Sequence, residues 1–164
     1  MARRTLVGAI ASIAVTAALA FGVVSTAAGD DGTQRASVAG SWMVNVDRGP
    51  ARPALKSLQS YTGGHAVIEI SNGGATVRSP SHGAWQRTGD RTFGSTIVFF
   101  RYDPVTGAYV GTAKIRHTLE LSRDGQSFTG VAVAEFRDAA GNLLPIPPHR
   151  DSVSGERINV EPIP

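Results

Sequence analysis

Ala113-Lys114-Ile115-Arg116-His117-Thr118-Leu119-Glu120-Leu121-Ser122-Arg123-Asp124-Gly125-Gln126-Ser127-Phe128-Thr129-Gly130-Val131-Ala132-Val133-Ala134-Glu135-Phe136 decides the fold. Apolar and polar residues alternate on both sides of Asp124-Gly125, a pair that favours tight hairpin turns. A two-residue turn pairs Arg123 with Gln126. Counting back, Leu121 meets Phe128, Leu119 meets Gly130, His117 meets Ala132, Ile115 meets Ala134 and Ala113 meets Phe136. That face is apolar except for His117. The other face carries Lys114, Arg116, Thr118, Glu120, Thr129, Glu135 and Arg137, which suits water. Two long antiparallel strands with one dry face need a closed or stacked sheet to cover it.

The flanking sequence repeats the pattern. Ser41–Asp47 alternates with Trp42, Val44 and Val46 on one face. Arg48–Pro53 contains two prolines and reads as a loop. Ala54–Tyr61 is ambiguous, with Leu55 and Leu58 at helical spacing, but the Thr62-Gly63-Gly64 turn into a clear strand favours a strand. His65–Ile70 and Ala75–Ser79 flank Asn72-Gly73 as a hairpin, with Ile68, Ile70 and Val77 facing the core and Glu69 facing out. Trp85–Thr88 is a short strand and Arg91–Asp103 a long one. For the latter, a four-residue loop at Pro104–Gly107 turns Gly94, Thr96, Val98 and Phe100 inward. A five-residue loop instead turns Phe93, Ser95, Ile97, Phe99 and Arg101 inward. Leu143–Arg150 holds three prolines, which a central strand excludes, and Asp151–Val160 contains a closing strand. The expectation is an all-β chain: a single antiparallel up-and-down β-barrel of about eight strands, spanning residues 39–164.

The N-terminus has the order of a secretory signal over residues 1–28. Arg3 and Arg4 precede an uncharged, mainly apolar run to Ala28, with small residues at Thr26-Ala27-Ala28. The run is also long enough for a membrane anchor. Residues 29–38 read as a flexible lead-in. Cleavage leaves about 136 residues, sufficient for one core. It removes two of the 16 basic residues against 13 acidic ones, so the mature charge is about +1. No basic cluster remains for nucleic acid. The expected protein is secreted, a monomer or weak dimer, with no stable membrane association once cleaved. Cysteine is absent, so disulfides and thiol chemistry are excluded.

Both tryptophans lie in Gly-x-Trp frames, Gly40-Ser41-Trp42 and Gly83-Ala84-Trp85. Glycine allows close backbone approach, and a large indole suits the floor of a barrel. On these frames and the meander of hairpins, the chain resembles the lipocalin-like, or calycin, β-barrels and short secreted actinobacterial barrels. The resemblance implies that Trp42 packs at the closed end against a basic residue from a late strand, a role open to Arg157. It also implies a ligand cavity. Allene-oxide-cyclase-like barrels, which fold a reactive chain within such a cavity, share the architecture.

The candidate function is binding of a small apolar molecule, with His117, Tyr102, Arg101, Phe100, Ala132 and Phe136 as candidate ligand-binding residues. His117 is the orienting group and Arg101 a rim residue within reach of an acidic ligand group. A cofactor-free cyclase or isomerase is the alternative, with His117 or a tyrosine polarising the substrate. A surface or interaction domain with a filled barrel is the third reading. No cofactor is expected. His65, His82, His117 and His149 lack zinc-site spacing, and no nucleophile elbow or nucleotide motif is present.

Overall fold

The structure, a computed structural model, describes residues 36–74 and 76–163. The expected signal segment 1–28 and most of the expected lead-in lie outside the described residues. The strands are β1 (Gly40–Asp47), β2 (Leu55–Tyr61), β3 (Ala66–Ser71), β4 (Ser81–Arg87), β5 (Thr92–Tyr102), β6 (Tyr109–Leu121), β7 (Ser127–Arg137) and β8 (His149–Arg157). They pair antiparallel in chain order, and β1 closes on β8 to complete a barrel. Sequential pairing with closure leaves no free sheet edge. No helix occurs among the described residues.

The β6–β7 register is the expected one at every position from Leu121–Phe128 to Ala113–Phe136. Ser122 N–H donates to the Ser127 carbonyl at 2.8 Å, and Gly125 takes the left-handed conformation (φ 70°) that the turn needs. The Asp124 carboxylate accepts from Gln126 N–H at 3.0 Å and from the Ser122 hydroxyl, fixing the reversal.

The two readings of Arg91–Asp103 resolve through a bulge. The loop is the short one, with Tyr102 opposite Tyr109, yet Arg101 stands opposite Gly111. Val110 is the extra residue. It shifts β5 so that Phe93, Ser95, Ile97, Phe99 and Arg101 face the lumen. Gly111 adopts φ 131°, and a Cβ there would lie 2.0 Å from the Arg137 carbonyl oxygen. Only glycine allows this crossing.

The Asn72-Gly73 hairpin is not formed. Asn72–Pro80 is a connection, and among its described residues the single bridge is Arg78 to Arg101 of β5. The faces of β3 are inverted relative to the sequence reading. Ile68 and Ile70 are 46% and 52% exposed, whereas Glu69 is 4% exposed and points into the lumen. With the hairpin lost, Ser81 and Gly83 of β4 become the inward neighbours, and Glu69 finds its partners there and on the connection.

One end of the barrel is filled. Trp42, Trp85, Tyr61, Phe93, Leu119, Leu121 and Phe128 form a buried cluster. The Trp42 and Phe128 rings lie 4.9 Å apart, and Trp85 meets Phe93 edge-on at 5.9 Å. Both indole N–H groups are satisfied, by the Val38 carbonyl at 2.8 Å and the Thr62 carbonyl at 2.9 Å. The Arg157 guanidinium lies 4.2 Å from the Trp42 ring centroid and donates to the carbonyls of Gly125, Ala39 and Ser37. Val38 is fully buried, so the packed chain reaches back into what reads in sequence as lead-in.

Candidate functional site

Above the aromatic floor the lumen changes character. Small residues on β6 and β7, Ala113, Ala132 and Ala134, leave space that His117 of β6 shares with Ser57, Gln59, Glu69, Ser71 and Ser95 of other strands. A cavity of about 80 Å³ remains there. Val46, Leu55, Ile97, Ile115 and Ala132 form its apolar wall. Ser57, Gln59, Glu69, Ser71, Arg78, His117 and Asp151 form its polar wall. Buried polar groups need partners, and these residues bond in three sets.

The first set centres on Glu69. One carboxylate oxygen accepts from the Arg78 guanidinium and the Ser81 hydroxyl. Arg78 also donates to Ser71 Oγ at 3.0 Å and Ser81 Oγ at 2.6 Å. Its guanidinium lies 3.7 Å from the Phe99 ring centroid. A planar cation is thus held by one carboxylate, two hydroxyls and an aromatic face. The second set runs along β2: Tyr61 O–H donates to Gln59 Oε1 at 2.6 Å, and Gln59 Nε2 donates to Ser57 Oγ at 3.2 Å. Burial raises the Tyr61 phenol to about 12, with Ser95 pulling the other way and the Glu69 charge adding to the rise. The tyrosine therefore stays protonated and acts as a donor.

His117 belongs to the third set. It is 7% exposed, and its Nδ1 lies 3.1 Å from Ser95 Oγ. Its Nε2 has no partner among the described residues. Burial lowers the imidazole to about 4, because the charged form loses its hydration without gaining a carboxylate. At neutral pH it is an uncharged hydrogen-bonding group on the cavity wall. At the open end Arg52 pairs with Asp151 and also donates to the Arg48 carbonyl at 3.1 Å.

Of the sequence-derived candidates, His117 and Ala132 line the cavity. Arg101 and Phe136 face the lumen nearer the open end, with the Arg101 guanidinium 5.1 Å from the Phe136 ring centroid. Phe100 and Tyr102 do not join them. The bulge turns them outward, where both rings contact Tyr109, and Phe100 is 52% exposed. Ser57, Gln59, Glu69, Arg78 and Asp151 escaped the sequence reading. Lys56-Ser57-Leu58-Gln59-Ser60 carries no apolar alternation to mark its inner face, which holds Ser57 and Gln59, while its one apolar residue, Leu58, faces out.

Comparison with family models, curated proteins and solved structures gives no match to this chain.

Proposed function

We propose that this protein is a secreted, lipocalin-like barrel that binds a small molecule in the half of the lumen above the aromatic floor. The observation that carries the reading is the set of buried polar side chains that line one cavity, Ser57, Gln59, Glu69, Ser71 and His117, with Ser95 buried behind His117. Burying such groups opposes folding, and a barrel that needed only to be filled would use apolar residues. A pocket with an apolar wall, convergent polar groups and a shifted histidine is where ligands are recognised. The Arg157–Trp42 contact and the Gly40-Ser41-Trp42 opening support the calycin reading of the closed end.

The ligand is more polar than the small apolar molecule expected from sequence. It has an apolar side against Val46, Leu55, Ile97 and Ile115 and a hydrogen-bonding side against Gln59, Glu69 and His117. Ligand pockets for drug-sized molecules measure about 300–1,000 Å³, so 80 Å³ admits only a few heavy atoms unless Arg78 moves. The same small volume favours a second reading, a filled barrel that acts through its outer surface. Leu58, Ile68 and Ile70 are exposed there on neighbouring strands.

Native mass spectrometry of the protein purified from the culture medium separates the two. A bound small molecule, or a thermal shift with amphiphilic compounds that His117→Leu weakens, supports lumen binding. A bare mass together with no shift across the compound set refutes it.

A further inference from the structure

We infer that the lumen ligand carries an organic cation, an alkylammonium or guanidinium head, that takes the place of Arg78 on Glu69. This rests on the lumen-binding reading and names the chemistry of its occupant. The ion pairs at the cavity divide by origin. The two carboxylates lie on strands, Glu69 on β3 and Asp151 on β8. The two cations that neutralise them come from connections at the open end, Arg78 from 72–80 and Arg52 from 48–54. Around the cavity the strands thus supply the carboxylates and the connections their ion-pair partners, while the one strand-borne cation nearby, Arg101, lies nearer the open end over the Phe136 ring.

Arg78 also shows what the frame accepts. Its head sits among Glu69, Ser71, Ser81 and the Phe99 ring, a set of acceptors with an aromatic face that suits a weakly hydrated planar cation. Glu69 is 96% buried by its 4% exposure, and its second carboxylate oxygen has no partner among the described residues. It belongs to a residue that lines the same cavity as Asp151 and His117, whose Nε2 has no partner among the described residues. Every unused group there except the serine hydroxyls and the second Gln59 N–H is an acceptor or an adaptable imidazole, so the complementary ligand is a donor. Arg78 enters through a connection with glycines at 73 and 74, Gly74 at φ 96°. The segment makes few backbone hydrogen bonds to β5, from Ser79 N–H to the Phe100 carbonyl and from Tyr102 N–H to the Val77 carbonyl. Withdrawal of this segment leaves the cage and the adjoining cavity joined as one site.

Four probes of one size test this: n-butylguanidinium, n-butylammonium, n-butanol and butyrate. Each is titrated into uniformly labelled wild-type protein and Arg78→Ala, with the amide resonances of Ser57, Glu69, Ser81 and His117 observed. The two cations should shift these resonances, with affinity at least tenfold higher in Arg78→Ala. Glu69→Gln in the Arg78→Ala background should remove that gain for the cations and leave butanol unchanged. Arg78→Met, which keeps a stem against Phe99, replaces the alanine variant if the latter fails to fold. If butanol or butyrate perturbs the lumen as strongly as the cations, or removing Arg78 leaves cation affinity unaltered, the cation inference fails and lumen binding stands. If no probe moves the lumen resonances in any of the proteins, both fail.

Discussion

Replacing His117 with asparagine should remove a specific acid lability. The histidine titrates at about 4 in the folded protein because it is buried without a carboxylate partner. In the unfolded chain it returns to about 6.5. Protons therefore bind the unfolded state first, and stability falls as pH drops from 6.5 towards 4. At pH 5 the unfolded imidazole is almost fully protonated and the native one almost bare, which gives a slope of about 1.2 kcal/mol per pH unit. By pH 4.5 the accumulated loss is about 2.5 kcal/mol, a large fraction of the stability of an ordinary domain. Asparagine can keep a hydrogen bond to Ser95 and does not titrate. Urea unfolding of both proteins at half-unit steps from pH 7.5 to 4.5 measures the difference. Carboxylates common to the two cancel in it. The wild-type protein should lose about 2.5 kcal/mol relative to the variant over this range. Equal slopes, or an imidazole resonance that titrates near 6.5 in the folded protein, would refute a neutral histidine buried in the lumen.

Three other substitutions test separate parts of the structure. Arg157→Met removes the cation over Trp42 and leaves the carbonyls of Ser37, Ala39 and Gly125 without their donor, at a cost of about 2 kcal/mol in urea unfolding. A change under about 0.5 kcal/mol would mean that Arg157 does not close the floor. Gly111→Ala should cost more than about 2 kcal/mol, whereas Gly107→Ala should cost about 1, since both have positive φ but only Gly111 faces a carbonyl oxygen. Equal costs would show that the bulge is not crowded. Glu69→Ala should cost about 3–5 kcal/mol by stranding the Arg78 charge, while Glu69→Leu with Arg78→Met should recover most of it. Failure of the double variant to recover would mean that the pair is not an isolated unit.

The parts of the fold legible in sequence were those where a turn and an alternation agree. Asp124-Gly125 fixed the origin of the β6–β7 register, and the polar face from Lys114 to Glu120 fixed its outside. Alternation alone says which residues share a face, not which face is inside. On β3 it grouped Ile68 with Ile70 and Glu69 with Ser71, and hydrophobicity then chose the wrong interior. Glu69 is stable inside only because Arg78 and Ser81, ten residues or so further on, come to meet it. The candidate site follows the same division. His117 was visible as the one polar residue on an apolar face, whereas Ser57 and Gln59 were not, since between them β2 carries Leu58 outward. Phe100 and Tyr102 were misplaced by a single residue, Val110, that no local turn signal marks.

The seam between β1 and β8 joins strands that lie farthest apart in the chain, with Val44 opposite Gly155 and Val46 opposite Val153. Every other pairing in the barrel is between neighbours. Hairpins can therefore form early and locally, but the final closure waits until the last strand is made and brings ends together at the full loop-entropy cost. Until then β1 and the growing strand present two bare edges, each able to recruit another chain. The folding route thus concentrates its risk of aggregation in the interval before β8 docks.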